Sequence, residues 1–397
     1  MRVAAAVLLS WAATLAAQTY DLVLAGGTVI DPGNGVNGVV DVGVSGGKIA
    51  RVGKGLAGKQ VVDVTGLYVT PGLIDLHAHV YGYSGSLLPD DTHLVAGTTT
   101  VVDAGGSGWR TFDDFRARVI DKSQTRVLVW LNIVGQGMLG GQVENNVEDM
   151  DPKATAEKIR RHPDLIVGIK TAHYSRPGWT ALDRAVEAGR LAGVPVIVDN
   201  NILTGMERNS REKLLDRLRP GDLHTHSYND RQIELLDRHT SKVQEYARQA
   251  RARGVLFDMG HGAGSFLWPV AMQAMKQGFP PDTISTDLHA TSILVGEPDM
   301  PNCISKLVNL WMPLADAVAR STVGPAKAIR RYPELGTLGV GQPADLGVFA
   351  LRQGVFAFKD AWAKKFLGRQ KLECLLTVRN GRIVFDQEGL SASEVIQ

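Results

Sequence analysis

The sequence predicts an α/β fold: a (β/α)8 barrel of the TIM type, joined to a small β-sandwich that the N- and C-terminal segments build together. Three observations point there. Between residues 70 and 340 eight short apolar runs alternate with amphipathic stretches such as "WTALDRAVEAGRLAG" and "KVQEYARQARARG", the rhythm of parallel strands with crossover helices. That span is close to the ~250 residues usual for such a barrel. On either side of it the chain reads as strands with glycine turns and no helical period. A doubly wound open sheet is the alternative, but no GxGxxG fingerprint supports it.

Taken in order, the chain opens on "MRVAAAVLLSWAATLAAQ". Arg2, an apolar stretch and small residues before Gln18 read as a signal peptide over residues 1–17, cleaved near Ala17. The protein is therefore expected to be exported, to a periplasm or beyond. The apolar run is too short for an ordinary membrane span, and no later stretch reads as one. Residues 18–69 read as the first part of the β-sandwich: "YDLVLAGGTVIDP" is strand, Gly-Gly turn, strand, and "DVGVSGGKIARVG" repeats the device. Residues 70–340 hold the barrel, with strand candidates "GLIDLHAH", "TTTVVDAGG", "RVLVWLNIVG", "LIVGIKTAH", "VPVIVDNN", "GDLHTHSY", "VLFDMGHG" and "TISTDLHA". Residues 341–397 return to strand character, from "GQPADLGVFAL" to "LLTVRNGRIVFD", and complete the sandwich.

Composition narrows the partners. Lys and Arg number 43 against 41 Asp and Glu. No basic run interleaves with aromatics, which argues against nucleic acid. No membrane partner is expected once the leader is removed. A small-molecule substrate is the expected partner, and a homo-oligomer stays open. The two cysteines, Cys303 and Cys374, lack CxxC spacing, which argues against a thiolate metal site and a disulfide framework.

In a barrel the C-terminal ends of the strands meet at one mouth, where active sites are built. The first run ends in His77 and His79. Spaced i, i+2 on a strand, they share a face and present two imidazoles to one point. The fourth carries Lys170 in "GIKTAH", with His173 just beyond. The fifth ends in Asp199, Asn200 and Asn201. The sixth carries His224 and His226, the seventh Asp258 and His261, the eighth Asp287 and His289. Any one of these histidines reads equally well as a hydrogen-bonded core residue, and His224 is read that way. Together they supply imidazoles and carboxylates, the ligand set of zinc and similar divalent ions. Lys170 is the odd member, because a buried ammonium is costly and repels a cation. Two readings of it stand: a salt bridge to Asp199 or Asp287, or a carbamate formed from the neutral amine and CO2, an anion able to bridge two metals.

These residues resemble the amidohydrolase superfamily. The marks are "PGLIDLHAH", "GIKTAH", "THSYN", "GHGAGSF", "PDTISTDLH" and "GQPADLGVF", and they extend over the chain after its leader. They are similar to a dihydroorotase-like branch near the N-acyl-D-amino-acid deacetylases and acetyl-hydroxy-acid esterases. The resemblance implies one or two divalent ions, zinc first among them. His77 and His79 would hold the more buried ion. Lys170, as carbamate, would bridge to a second ion, which His226 would also bind. Asp287 would ligate the first ion and shuttle the proton. The resemblance also implies a histidine at the end of the fifth strand. Asp199 stands there instead, either as a carboxylate ligand or as the mark of a weak or absent second metal.

The expected function is hydrolysis of an amide or ester bond in a small acylated amino or hydroxy acid. A metal ion lowers the pKa of bound water towards ~7, the resulting hydroxide attacks the carbonyl, and Asp287 carries the proton to the leaving group. His261, His289, His173 and Arg176 are read as substrate contacts, Arg176 as a planar clamp for a carboxylate. "SGSLLPDDTH" and "GQGMLGGQVENNVEDMDP" read as mouth loops, with Glu144 in the second read as solvated. Two alternatives stay open: a cyclic amidase of the dihydroorotase or hydantoinase kind, and an exported metal- or ligand-binding protein without turnover.

Overall fold

A computed structural model describes residues 19–199, 211–229, 235–296 and 299–393. The proposed signal peptide, Asn200 and Asn201 lie outside them. Seven of the anticipated runs form one parallel sheet whose strands follow in chain order: Leu73–Ala78, Thr98–Gly108, Arg126–Asn132, Ile166–Ala172, Val196–Asp199, Leu223–His224 and Leu256–Phe257. The eighth run closes the ring without forming a full ladder. Asp258 bridges to Thr283 on one side of it and Ala78 to Leu288 on the other, both in parallel sense. His79 N–H donates to the Leu288 carbonyl at 3.0 Å and Asp287 N–H to the His77 carbonyl at 2.6 Å. The first and last strand ends are thus stitched together at the mouth.

Register sets the heights of the site residues. Asn132 pairs with Lys170, and Ala172 with Asp199. One pleat below Lys170 and Asn132, on the same strand face, come Gly168 and Trp130. A Cβ on Gly168 would stand 2.2 Å from the Trp130 ring, and the indole N–H donates to the Leu76 carbonyl at 2.7 Å. This layer is packed, so the polar groups above it have a floor that excludes water. Gly105, at φ +89°, leaves the space through which the Lys170 stem rises; a Cβ there would meet Lys170 Cγ at 2.7 Å.

The terminal segments join as expected. A four-stranded sheet holds Thr19–Ala25, Asp41–Ser45, Lys48–Gly53 and Ala57–Asp63. A six-stranded sheet joins Thr28–Asp31, Val36–Val39 and Tyr68–Pro71 to the C-terminal strands Leu346–Lys359, Lys365–Arg379 and Arg382–Asp386. Leu22, Leu24, Val42 and Val44 of the first sheet pack with Val29, Val348, Leu376 and Val378 of the second. Cys303 and Cys374 are both buried and, among the described residues, form no disulfide. Among the described residues no helix is long and apolar enough to cross a membrane.

Candidate metal centre at the barrel mouth

His77, His226 and Asp287 each turn one ligand atom to a common point, the three atoms lying within 4.8 Å of one another. They come from the first, sixth and eighth strand ends, far apart in sequence and adjacent only because the barrel closes. All three are buried. His226 and Asp287 sit at φ +60° and +51°, a left-handed conformation that costs an L-residue and is found at functional sites held by their surroundings. Gly262, itself at φ +52°, makes room for the acid: a Cβ there would come within 2.1 Å of Asp287 Oδ2.

The hydrogen-bond network fixes which ring nitrogens carry protons. Thr225 donates its hydroxyl hydrogen to Asp258 Oδ2 at 2.7 Å. With that hydrogen committed, Thr225 Oγ1 accepts from His77 Nδ1–H at 2.9 Å. His77 Nε2 is left with its lone pair facing the centre. His226 Nδ1–H donates to the Gly260 carbonyl at 2.7 Å, so its Nε2 lone pair also faces inward. Asp258, the root of the His77 arrangement, also accepts from Thr283 and Ser285 hydroxyls at 2.7 Å each. Burial and the nearby Lys170 amine push the His77 imidazolium down to about 4, which keeps that ring neutral. Asp287 is held ionised: burial alone would raise it, but the surrounding imidazoles of His77, His79 and His226, with the hydrogen bond to His79, outweigh that.

His79 Nε2 lies 2.8 Å from Asp287 Oδ1, and His77 Nε2 lies 3.5 Å from the same oxygen. The two histidines of the opening motif therefore do share one target. His79 Nδ1 is buried without a partner among the described residues. Two imidazole lone pairs and an ionised carboxylate form a donor set that suits zinc or a similar divalent ion.

Lys170 is fully buried, its amine 3.2 Å from His77 Nε2. Burial lowers its pKa against the pull of Asp199 and Asp287, yet among the described residues it forms an ion pair with neither. The salt-bridge reading of this lysine is therefore set aside.

The remaining candidates divide. Asp199 Oδ2 lies 3.3 Å from His226 Nε2 and 3.4 Å from His173 Nε2. His289, buried, donates Nδ1–H to the Asp287 carbonyl at 2.8 Å and leaves Nε2 towards the mouth. His261 has both ring nitrogens taken up by the protein: Nδ1 by the Gly262 carbonyl at 2.9 Å and Nε2 by the Lys306 amine at 2.6 Å. Its ring stacks on Phe266, which sets it apart from a substrate contact. Arg176 is exposed on the loop after the fourth strand and is not drawn into the cluster. His224 is buried beside Phe257.

Comparison with known proteins agrees with this geometry. The model of the amidohydrolase family matches residues 222–384. A deacetylase of Agrobacterium fabrum is 32% identical over 317 residues, 77% of this chain and 76% of the relative. The chain belongs to the amidohydrolase superfamily. Among solved structures, an adenine deaminase aligns at a TM-score of 0.84 with 28% identity, over 92% of this chain and 99% of its own. A dihydroorotase aligns at 0.79 with 26% identity, again over 92% and 99%. This amidohydrolase is an enzyme that hydrolyses carbon–nitrogen bonds of small molecules.

Four residues of the amidohydrolase mouth escaped the sequence reading. Glu144 is not solvated but 1% exposed, and accepts from His173 Nδ1 at 2.8 Å. The Tyr83 ring lies tilted 4.4 Å from the His79 ring and edge-on 5.5 Å from that of His289; its place in an aromatic-bearing loop four residues after His79 was the available signal. Lys306 and Thr225 complete the set. Lys306 sits on helix Met300–Val308 and had no marker beyond falling on that helix's apolar face.

Proposed function

We propose that this amidohydrolase is a divalent-metal-dependent deacylase, cleaving an amide or ester bond of a small acylated amino or hydroxy acid. The convergence of His77, His226 and Asp287 carries the reading, supported by the extent of the match to a relative named as a deacetylase. His77, His79 and Asp287 would hold one zinc ion and His226 would face a second, with Lys170 as a carbamate between them. A bound divalent ion supplies Lewis-acid polarisation of a carbonyl and a lowered pKa for water. The chain's own residues do the rest. Asp287, ionised and at the mouth, accepts the proton of the attacking water and returns it to the leaving group. An amide nitrogen needs that proton more than an ester oxygen does, because it is the poorer leaving group. His289 and Tyr83 border the place where the acyl group is received, and the Trp130 layer keeps bulk water from below. The leader read over residues 1–17 extends the proposal to export; a mature chain that still begins at Met1 would remove that part.

The test is a panel of N-acetyl-D- and L-amino acids, acetyl-mandelate and dihydroorotate, run on the zinc-loaded wild type and on Asp287→Asn. We expect turnover of an acylated acid, abolished in a variant whose circular dichroism is unchanged. Turnover of dihydroorotate alone would replace deacylation by ring opening. Undiminished turnover by Asp287→Asn would remove Asp287 from the mechanism.

A further inference from the structure

We propose that His173 is a metal ligand, which with Asp199 and His226 forms a second cation site beside the first. The inference rests on the metal-dependent reading above and assigns this chain's own solution to the second site. Its first support is distance. Asp199 Oδ2 stands 3.4 Å from His173 Nε2 and 3.3 Å from His226 Nε2. Charge-assisted hydrogen bonds to a carboxylate are shorter, ~2.7–2.9 Å. Two ligand atoms on one tetrahedral zinc, each ~2.0–2.2 Å from the ion, lie ~3.4 Å apart. Both separations are those of a coordination edge.

The second support is the far side of the ring. His173 Nδ1–H donates to Glu144 Oε2 at 2.8 Å, and Glu144 is itself buried and accepts from the Gly140 N–H at 3.1 Å. A carboxylate on the outer nitrogen is the usual support of a ligating histidine, fixing its tautomer and turning the other lone pair to the metal. This places a buried carboxylate in a loop whose composition reads as solvent-facing, and gives it a reason to be there.

The third support is the backbone. His173 follows Ala172, which pairs with Asp199 across the fourth and fifth strands. Strand alternation would turn a side chain three residues after Lys170 to the opposite face. The backbone at His173 instead adopts φ +53°, and the ring returns over the mouth. Such a conformation in a histidine persists where surrounding contacts require it. A substrate contact would need His173 Nε2 to point at open space; here it points at the ligand oxygen that His226 also faces.

The experiment uses the full chain, stripped with chelator and reloaded with Zn(II) or Co(II). The readouts are bound metal by elemental analysis and the visible Co(II) spectrum. Wild type is expected to hold two equivalents. His173→Asn, chosen because Asn tolerates a positive φ and is too short to reach, is expected to hold one and to lose about half of the cobalt absorption. Glu144→Gln is expected to keep two at saturation but to bind the second roughly 10- to 100-fold more weakly. Two equivalents in His173→Asn, with the wild-type cobalt spectrum, would overturn the assignment, as would one equivalent in wild type. Those outcomes leave the first centre and the deacylase reading standing, whereas a wild type that binds no metal removes both. If His173→Asn does not fold, Glu144→Gln decides: unaltered affinity for the second equivalent would also overturn it.

Discussion

Replacing Thr225 with valine tests the polar relay beneath the metal centre without touching a ligand. The side chains are close in shape, so packing is kept and the hydroxyl alone is lost. That hydroxyl accepts from His77 Nδ1–H at 2.9 Å and donates to Asp258 Oδ2 at 2.7 Å. Asp258 keeps the Thr283 and Ser285 hydroxyls, so its loss is partial. Among the described residues His77 Nδ1–H loses its only close acceptor, the nearest carboxylate oxygen being 3.7 Å away. One buried donor left unpaired costs about 1–3 kcal/mol, the destabilisation expected in urea unfolding of the metal-free protein. With its tautomer no longer pinned, His77 should bind zinc 10- to 100-fold more weakly, about 1.4–2.7 kcal/mol. Competition against a zinc chelator of known affinity measures this, and Thr225→Ser should restore most of both losses. Wild-type zinc affinity and stability in Thr225→Val would refute the relay, as would a Ser variant no better than Val.

Two further outcomes follow from the buried amines. Burial lowers Lys306 from 10.5 to about 8, so between those values the unfolded chain binds the extra proton and stability rises with pH. Relative to Lys306→Met, metal-free wild type should gain about 3 kcal/mol from pH 8 to 10.5, read by urea unfolding at several pH values; parallel curves would count against the shift. Lys170→Ala should lose turnover, and acetate or propionate should restore part of it by standing in for a carbamate. No rescue at high acid concentration would leave the carbamate unsupported.

The barrel was legible because parallel strands buried on both faces leave near-continuous apolar runs, and seven of eight formed ladders where those runs lie. His77 and His79 were legible because period-two geometry carries two rings to one oxygen. What sequence could not carry is conformation. His173, His226 and Asp287 take positive φ without glycine to announce it, so alternation alone misplaces their side chains. Glu144 escaped for a related reason. A Gly-rich polar loop reads as solvated, and only the fold shows that its carboxylate turns inward onto a ring from another strand. Lys306 hid in an amphipathic helix, where a lysine ordinarily marks the wet face.

The Lys306 amine also donates to the Lys359 carbonyl at 2.7 Å, and Lys359 ends the strand Leu346–Lys359 of the C-terminal hairpin. The terminal sheets therefore reach the back of the His261 wall. Trimming this chain to a minimal barrel would strand a cation inside and open a leak behind the pocket. Conversely, lengthening or shortening that hairpin offers a way to remodel the chamber without altering any group at its centre.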